Sequence, residues 1–270
     1  MAQEKTLTEA AVAILREPNP LKKAKLSCKI AACWQTREIE TLGDASPPPR
    51  PARPARPRLL APTQMAKRRI TRGDKGRKAL LHSLAHIELN AIDLAWDLIA
   101  RFVDRALPYD FYSDWCTVAD EEAQHFVALH SRLEELGGDY GDLPAHDGLW
   151  EAAVTTRHDM VARLAVVPLV LEARGLDVMP KLIEKLRGVG DEISAKLLER
   201  IYQDEIGHVA IGRRWFDYAC AARGLEPAAT WHKMVSRHFK GRLKMPLNHA
   251  ARRAAGFVKR YYMPLAIDPS

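Results

Sequence analysis

The stretch "IYQDEIGHVAIG", residues 201–212, sets Glu205 and His208 three positions apart. On a helix that spacing puts both on one face, shared here with Leu198, Ile201, Val209 and Gly212. A carboxylate and an imidazole in such company are either a solvated i,i+3 pair or two ligands of a metal. The rest of the chain decides between these. A second Glu-x-x-His, Glu122 and His125 in "DEEAQHF", lies beside Val118, Phe126 and Leu129. Two more carboxylates interrupt apolar faces. Glu88 follows Leu84 and Ala85 and precedes Ala91 and Ile92, and Glu172 shares its face with Ala165, Pro168 and Leu169.

These four sites fall on four long helical patterns. Apolar periodicity predicts helix A over 74–104, helix B over 111–136, helix C over 149–174 and helix D over 190–222. Gly137-Gly138 ends B, and "GGDYGDLPAHDG" is a loop long enough to cross the end of a bundle. Gly175 is expected to break C, with a short helix starting at Pro180 before D. Glu88 to Glu122 is 34 residues and Glu172 to Glu205 is 33. At about 1.5 Å of rise per residue, such spacing runs up one helix and returns to the same height on the next. A–B and C–D therefore read as two copies of one hairpin. The predicted fold is all-α, a four-helix bundle with one inward carboxylate per helix and a histidine on B and D. Four ionised carboxylates in a core would exceed the stability of an ordinary domain. Two divalent cations bridged by the carboxylates, each capped by an imidazole, remove that difficulty.

Length and composition fit one large domain with extensions: 270 residues, 47% of them hydrophobic. The net charge of +7 is unevenly spread. Residues 1–80 carry 18 Lys/Arg against 7 Asp/Glu, residues 81–223 carry 14 against 25, and residues 224–270 carry 9 against 2. Four parts follow: an N-terminal helical extension (1–45), a Pro/Arg-rich strap (46–72), the bundle (73–223) and a basic C-terminal helical extension (224–270). Within 6–42, Pro18 and Pro20 separate two short helices. Seven prolines in 46–62 exclude helix and ladder structure, and the three-residue repeat of Arg50, Arg53 and Arg56 suits one edge of a polyproline II strand. The basic ends either wrap and neutralise the acidic middle or offer a surface to RNA, with Trp231, Phe239, Tyr261 and Tyr262 interleaved among the C-terminal cations. The four cysteines form no CxxC pair, and no leader or membrane span is evident, so reduced thiols and a cytoplasmic location are expected.

"HIEL", "DEEAQH", "LEARGLD" and "DEIGH" resemble the ferritin-like di-iron carboxylate superfamily over about 80–220. "RPARP", "LLHSLAHIELNAIDLAWD" and "LEARGLDVMP" are more closely similar to a bacterial ferritin-like family that carries only a domain-of-unknown-function label. The motifs of C and D also resemble the tRNA hydroxylases acting on isopentenyl-adenosine. The resemblance implies two iron ions, manganese being the alternative, held by Glu88, Glu122, His125, Glu172, Glu205 and His208. It implies O2-dependent oxidation or hydroxylation of a substrate, with a tRNA nucleoside as one candidate and an external reductase as electron donor. Glu122 and Glu172 are the carboxylates expected to take part in the reaction. Glu121 and Asp204 resemble the acids that orient a ligating imidazole. The alternatives are iron handling or peroxide removal, and a binding module in which the metal is structural. Pro168 is expected to distort helix C, His82 and His86 to lie on the surface or at an interface, and Tyr202 to pack in the core. Neither substrate nor oligomeric state is fixed by these residues.

Overall fold

A computed structural model of the chain describes residues 6–65 and 73–267. Residues 1–5, 66–72 and 268–270, at the ends of the expected N-terminal extension, strap and C-terminal extension, lie outside the described residues. The fold is an all-α helical bundle. Its strand content among the described residues is one two-residue parallel pair, β1 (Leu243–Lys244) with β2 (Ala266–Ile267), and an isolated bridge between Leu59 and Ala145. That bridge departs from the expected absence of ladder pairing in 46–62. None of the described helices is long and apolar enough to cross a membrane. All four cysteines are free thiols.

The chain forms two compact units, Met1–Trp150 and Glu151–Ser270. In the first, α1 (Leu7–Arg16) is capped by Thr6, whose hydroxyl oxygen accepts from the Glu9 N–H. Asn19 caps α2 (Pro20–Gln35), with Pro20 at the first helical position, where a missing N–H costs nothing. These two short helices pack on a long hairpin, α1 against α3 (Asp74–Arg101) and α2 against α4 (Tyr109–Glu135). Helix α3 is buried on two faces. One is apolar, with Leu81, Leu84, Ala85, Ile92 and Ala95. The other is a polar stripe, His82, His86, Asn90, Asp93 and Asp97, spaced four, four, three and four residues apart.

The strap covers that stripe. Arg53 forms an ion pair with Asp93 Oδ2 at 2.7 Å and donates to Asn90 Oδ1 at 2.6 Å, while Lys23 from α2 meets Asp93 Oδ1 at 2.5 Å and the Ala52 carbonyl at 3.1 Å. Arg101 holds Asp97 and reaches the Pro48 carbonyl, and Arg50 meets Asp147 at 2.5 Å. Arg50 and Arg53 thus dock on carboxylates of their own unit, as the neutralising alternative requires. Burial pushes the Lys23 ammonium below its usual range, and Asp93 opposes the shift.

In the second unit, Asp159 caps α6 (Met160–Val166) by accepting from the Val161 N–H, so the helical run that begins with α5 (Gly148–Thr156) is interrupted at 157–159. The break expected at Gly175 is absent. The chain passes through a π-helical turn, Val167–Glu172, and continues as α7 (Ala173–Gly188) across both Gly175 and Pro180. Gly175 costs about 1 kcal/mol relative to Ala, but buried Ala173, Leu176 and Met179 hold the segment in place. Pro180 has no N–H for the Leu176 carbonyl, and the Asn248 amide donates to it instead at 3.1 Å. A Gly190 turn leads to α8 (Glu192–Ala222), capped by Asp191. The C-terminal helices α9 (Pro227–His238), α10 (His249–Ala254) and α11 (Lys259–Tyr262) complete this unit. α9 packs on α6, and α10 is tied to α7 by the buried Arg252–Asp177 pair at 2.7 Å.

Trp231, Tyr261 and Tyr262 are buried here, with Trp231 and Tyr261 packed around Phe257. They are core residues of the unit, not the exposed stacking platform that an RNA surface would need. These aromatics face in, whereas Lys233, Arg237, Lys259 and Arg260 face out and Arg252 is buried against Asp177.

The Asp93 site gives a direct test of the first unit. Asp93→Ala leaves Lys23 and Arg53 facing each other and should cost about 3–5 kcal/mol in urea unfolding. Replacing Lys23 and Asp93 together by Met and Leu should cost much less. Equal losses for the single and double variants would contradict the buried ion triad.

Candidate metal centre

On α3, Glu88 lies on the apolar face and is 1% exposed. On α4, Glu122 and His125 are 0% and 2% exposed and sit among buried Val118, Ala119, Phe126 and Leu129. The α3–α4 hairpin brings the three together, with one ligand atom from each lying within 4.8 Å of the others. His125 Nδ1 is 3.6 Å from Glu122 Oε2. This buried cluster of two carboxylates and an imidazole could hold a metal ion.

The second unit carries a matching set. Glu205 and His208 on α8 are 5% and 0% exposed, with Nδ1 of His208 4.0 Å from Glu205 Oε2. Glu172 is half-buried and is the last residue of the π turn, so the distortion expected at Pro168 is present and ends on the residue of interest. A π turn inserts extra backbone into a helix and is frequent at functional sites. The donor chemistry is the same in both units: hard carboxylate oxygens with one borderline imidazole nitrogen, a set that suits iron or manganese and lacks the thiolates of a structural zinc site.

Glu121 and Asp204 are half-buried, each immediately before Glu122 or Glu205 on its helix. Tyr202, also half-buried, accepts a hydrogen bond from the Asn248 amide at 2.9 Å.

His82 and His86 are not surface residues. Both are buried under the loop that follows α4. His82 Nε2 accepts from the Gly141 N–H at 3.0 Å. His86 Nε2 lies 3.1 Å from the His146 carbonyl and Nδ1 lies 2.8 Å from the Tyr140 hydroxyl, so the Nε2–H tautomer satisfies both partners. Burial pushes the His86 pKa down to about 4, which keeps the ring neutral. The sequence does carry the signal for this second buried face, in the spacing of His82, His86, Asn90, Asp93 and Asp97, but a single-face reading of α3 passes over it. A further group, His130 with Glu134 and Asp139, also brings ligand atoms within 4.8 Å of one another. Its two acids are exposed, which is common where no metal binds.

Comparison with known proteins adds the family. A curated relative from Haemophilus influenzae, described as "Uncharacterized protein", is 41% identical over 211 residues, covering 76% of this chain and 73% of the relative. No solved structure matches. A family described as "Protein of unknown function (DUF455)" matches residues 16–263, nearly the whole chain, and the protein belongs to that family.

Proposed function

We propose that the two hairpins together make a ferritin-like four-helix bundle in which Glu88, Glu122, His125, Glu172, Glu205 and His208 hold two metal ions, iron in preference to manganese. On this reading the protein is an O2-activating oxidoreductase that oxidises or hydroxylates an organic substrate and takes electrons from an external donor. The observation that carries the reading is the buried Glu88–Glu122–His125 cluster, together with the same donor types on the second hairpin. A carboxylate buried to this degree is tolerated where cations meet it. Bound iron would supply the one-electron and O2 chemistry that side chains lack.

The chain's own residues would set the terms of that chemistry. Glu88 and Glu122 come from regular helix inside a packed core and give a rigid half of the site. Glu172 comes from the end of a π turn and is half-buried, so it is the ligand with most room to change position as substrate enters. Glu172 is accordingly assigned to the reacting side, with Glu122 as its fixed counterpart there. Glu121 and Asp204 are assigned to orienting His125 and His208.

Anaerobic Fe(II) loading followed by elemental analysis and O2 exposure tests this. Wild-type protein should take up about two irons per chain, and Glu122→Ala or Glu205→Ala should lose most of that while keeping the helical circular dichroism. Less than about half a metal per reconstituted wild-type chain would contradict the reading.

A large anionic substrate, tRNA among the candidates, is supported by the C-terminal segment and not by the strap. Residues 227–267 contain nine Lys/Arg and no Asp/Glu, and Lys233, Arg237, Lys240, Arg242, Lys259 and Arg260 are exposed. If they contact phosphates, filter-binding affinity for tRNA should fall steeply between about 50 and 200 mM salt. Replacing Lys233 and Arg237 by Glu should weaken it further, whereas Arg50→Ala should not. Binding that ignores salt would remove this substrate class.

A further inference from the structure

The π turn that ends at Glu172 is held from two sides within its own unit. Pro168 offers no N–H, so the helix cannot continue its regular ladder through this point. The Ala173 N–H instead reaches back five residues to the Pro168 carbonyl. Ala165, next to last in α6, stands two residues before the π turn begins, and its carbonyl accepts from the Trp231 indole N–H at 3.1 Å. Trp231 is fully buried on α9, and a buried indole N–H needs such a partner as much as the carbonyl does.

The other support is Gly212 on α8. A Cβ placed there would fall well inside van der Waals contact of Pro168 Cβ and Cγ. Gly212 has an ordinary helical backbone, so its lack of a side chain matters here as space for the proline ring. Gly212 lies four residues after His208, on the same face of α8. α7 and α8 are an antiparallel hairpin, so four residues forward from Pro168 correspond to four residues back from Gly212. Glu172 and His208 are thus each four residues from the Pro168–Gly212 contact, on facing elements.

We infer that Gly212 and Trp231 are positioning residues for Glu172: one fixes the register of the π turn against α8, and the other ties the end of α6, from which the turn departs, to α9. This inference rests on the metal reading above, and it gives the C-terminal helix α9 a task in the site. The buried aromatic of the basic segment is a brace for a ligand-bearing turn.

The test is titration of the full-length protein with Co(II), whose visible absorption reports coordination. Trp231→Phe keeps an aromatic ring at this position and removes the indole N–H together with the five-membered part of the ring system. Gly212→Ala adds the one carbon that meets Pro168. Val235→Ala, a buried change one turn along α9, controls for general loosening of that helix. Both positioning variants should weaken Co(II) binding by about 10- to 100-fold and alter the absorption band, as loss of an orienting contact does at metal sites. Val235→Ala should lower the melting temperature and leave affinity and band unchanged. Wild-type affinity and band in a folded Trp231→Phe variant would overturn the inference even if Gly212→Ala fails to fold. So would a Val235→Ala control that shifts affinity and band as much as Trp231→Phe. Wild-type protein that binds no Co(II) and no Fe(II) would overturn the metal reading itself, and this inference with it.

Discussion

A carboxylate carried into a helix bundle loses its water and must be met by positive charge, and the placement of the strap, α2 and α10 follows from that requirement. Asp93 is met by Lys23 and Arg53, Asp97 by Arg101, and Asp177 by Arg252. The Asp93 and Asp177 contacts tie peripheral segments to helices of the bundle, and Arg101, paired with Asp97 on α3 itself, reaches the strap at the Pro48 carbonyl. The strap is fastened to α3 through Arg53, and α10 to α7 through Arg252. Glu88, Glu122 and Glu205 are buried to a similar degree but stand beside imidazoles and, for the first two, beside each other. Aspartates that meet side-chain cations organise the periphery. The proposed function gives the glutamates metal cations instead.

Much of the helical order was legible from periodicity. The predicted spans of A, B and D differ from α3, α4 and α8 by no more than three residues at any end. Helix C was read less well, for two physical reasons. Asp159 is a strong capping residue inside an apparently continuous pattern, and it starts a new helix. Gly175 and Pro180 are helix breakers by propensity, yet packing around Leu176 and the amide of Asn248 carry α7 through both. Propensity measures a local preference of at most a few kcal/mol, and tertiary contacts from residues some 70 positions away can outweigh it.

The candidate site was legible as a set of residue types at hairpin spacing, because an inward carboxylate on an apolar face stands out. The polar stripe of α3 did not stand out in the same way. Its covering elements, the strap and the loop after α4, have no periodicity that reveals what they lie against. The C-terminal aromatics show the converse problem. Composition records that Trp231, Tyr261 and Tyr262 alternate with cations, but only packing shows that the rings point inward. Once they do, Trp231 stops being a stacking surface and becomes a hydrogen-bond donor to the end of α6, just before the irregular turn that ends at Glu172.

The central claim, that the buried glutamates and histidines hold metal, is tested most directly by anomalous X-ray diffraction from crystals of the iron-loaded protein. Data collected at the iron edge should show two strong peaks, both enclosed by Glu88, Glu122, His125, Glu172, Glu205 and His208. No anomalous peak among those side chains, or iron bound only at the exposed His130, Glu134 and Asp139 group, would contradict the account.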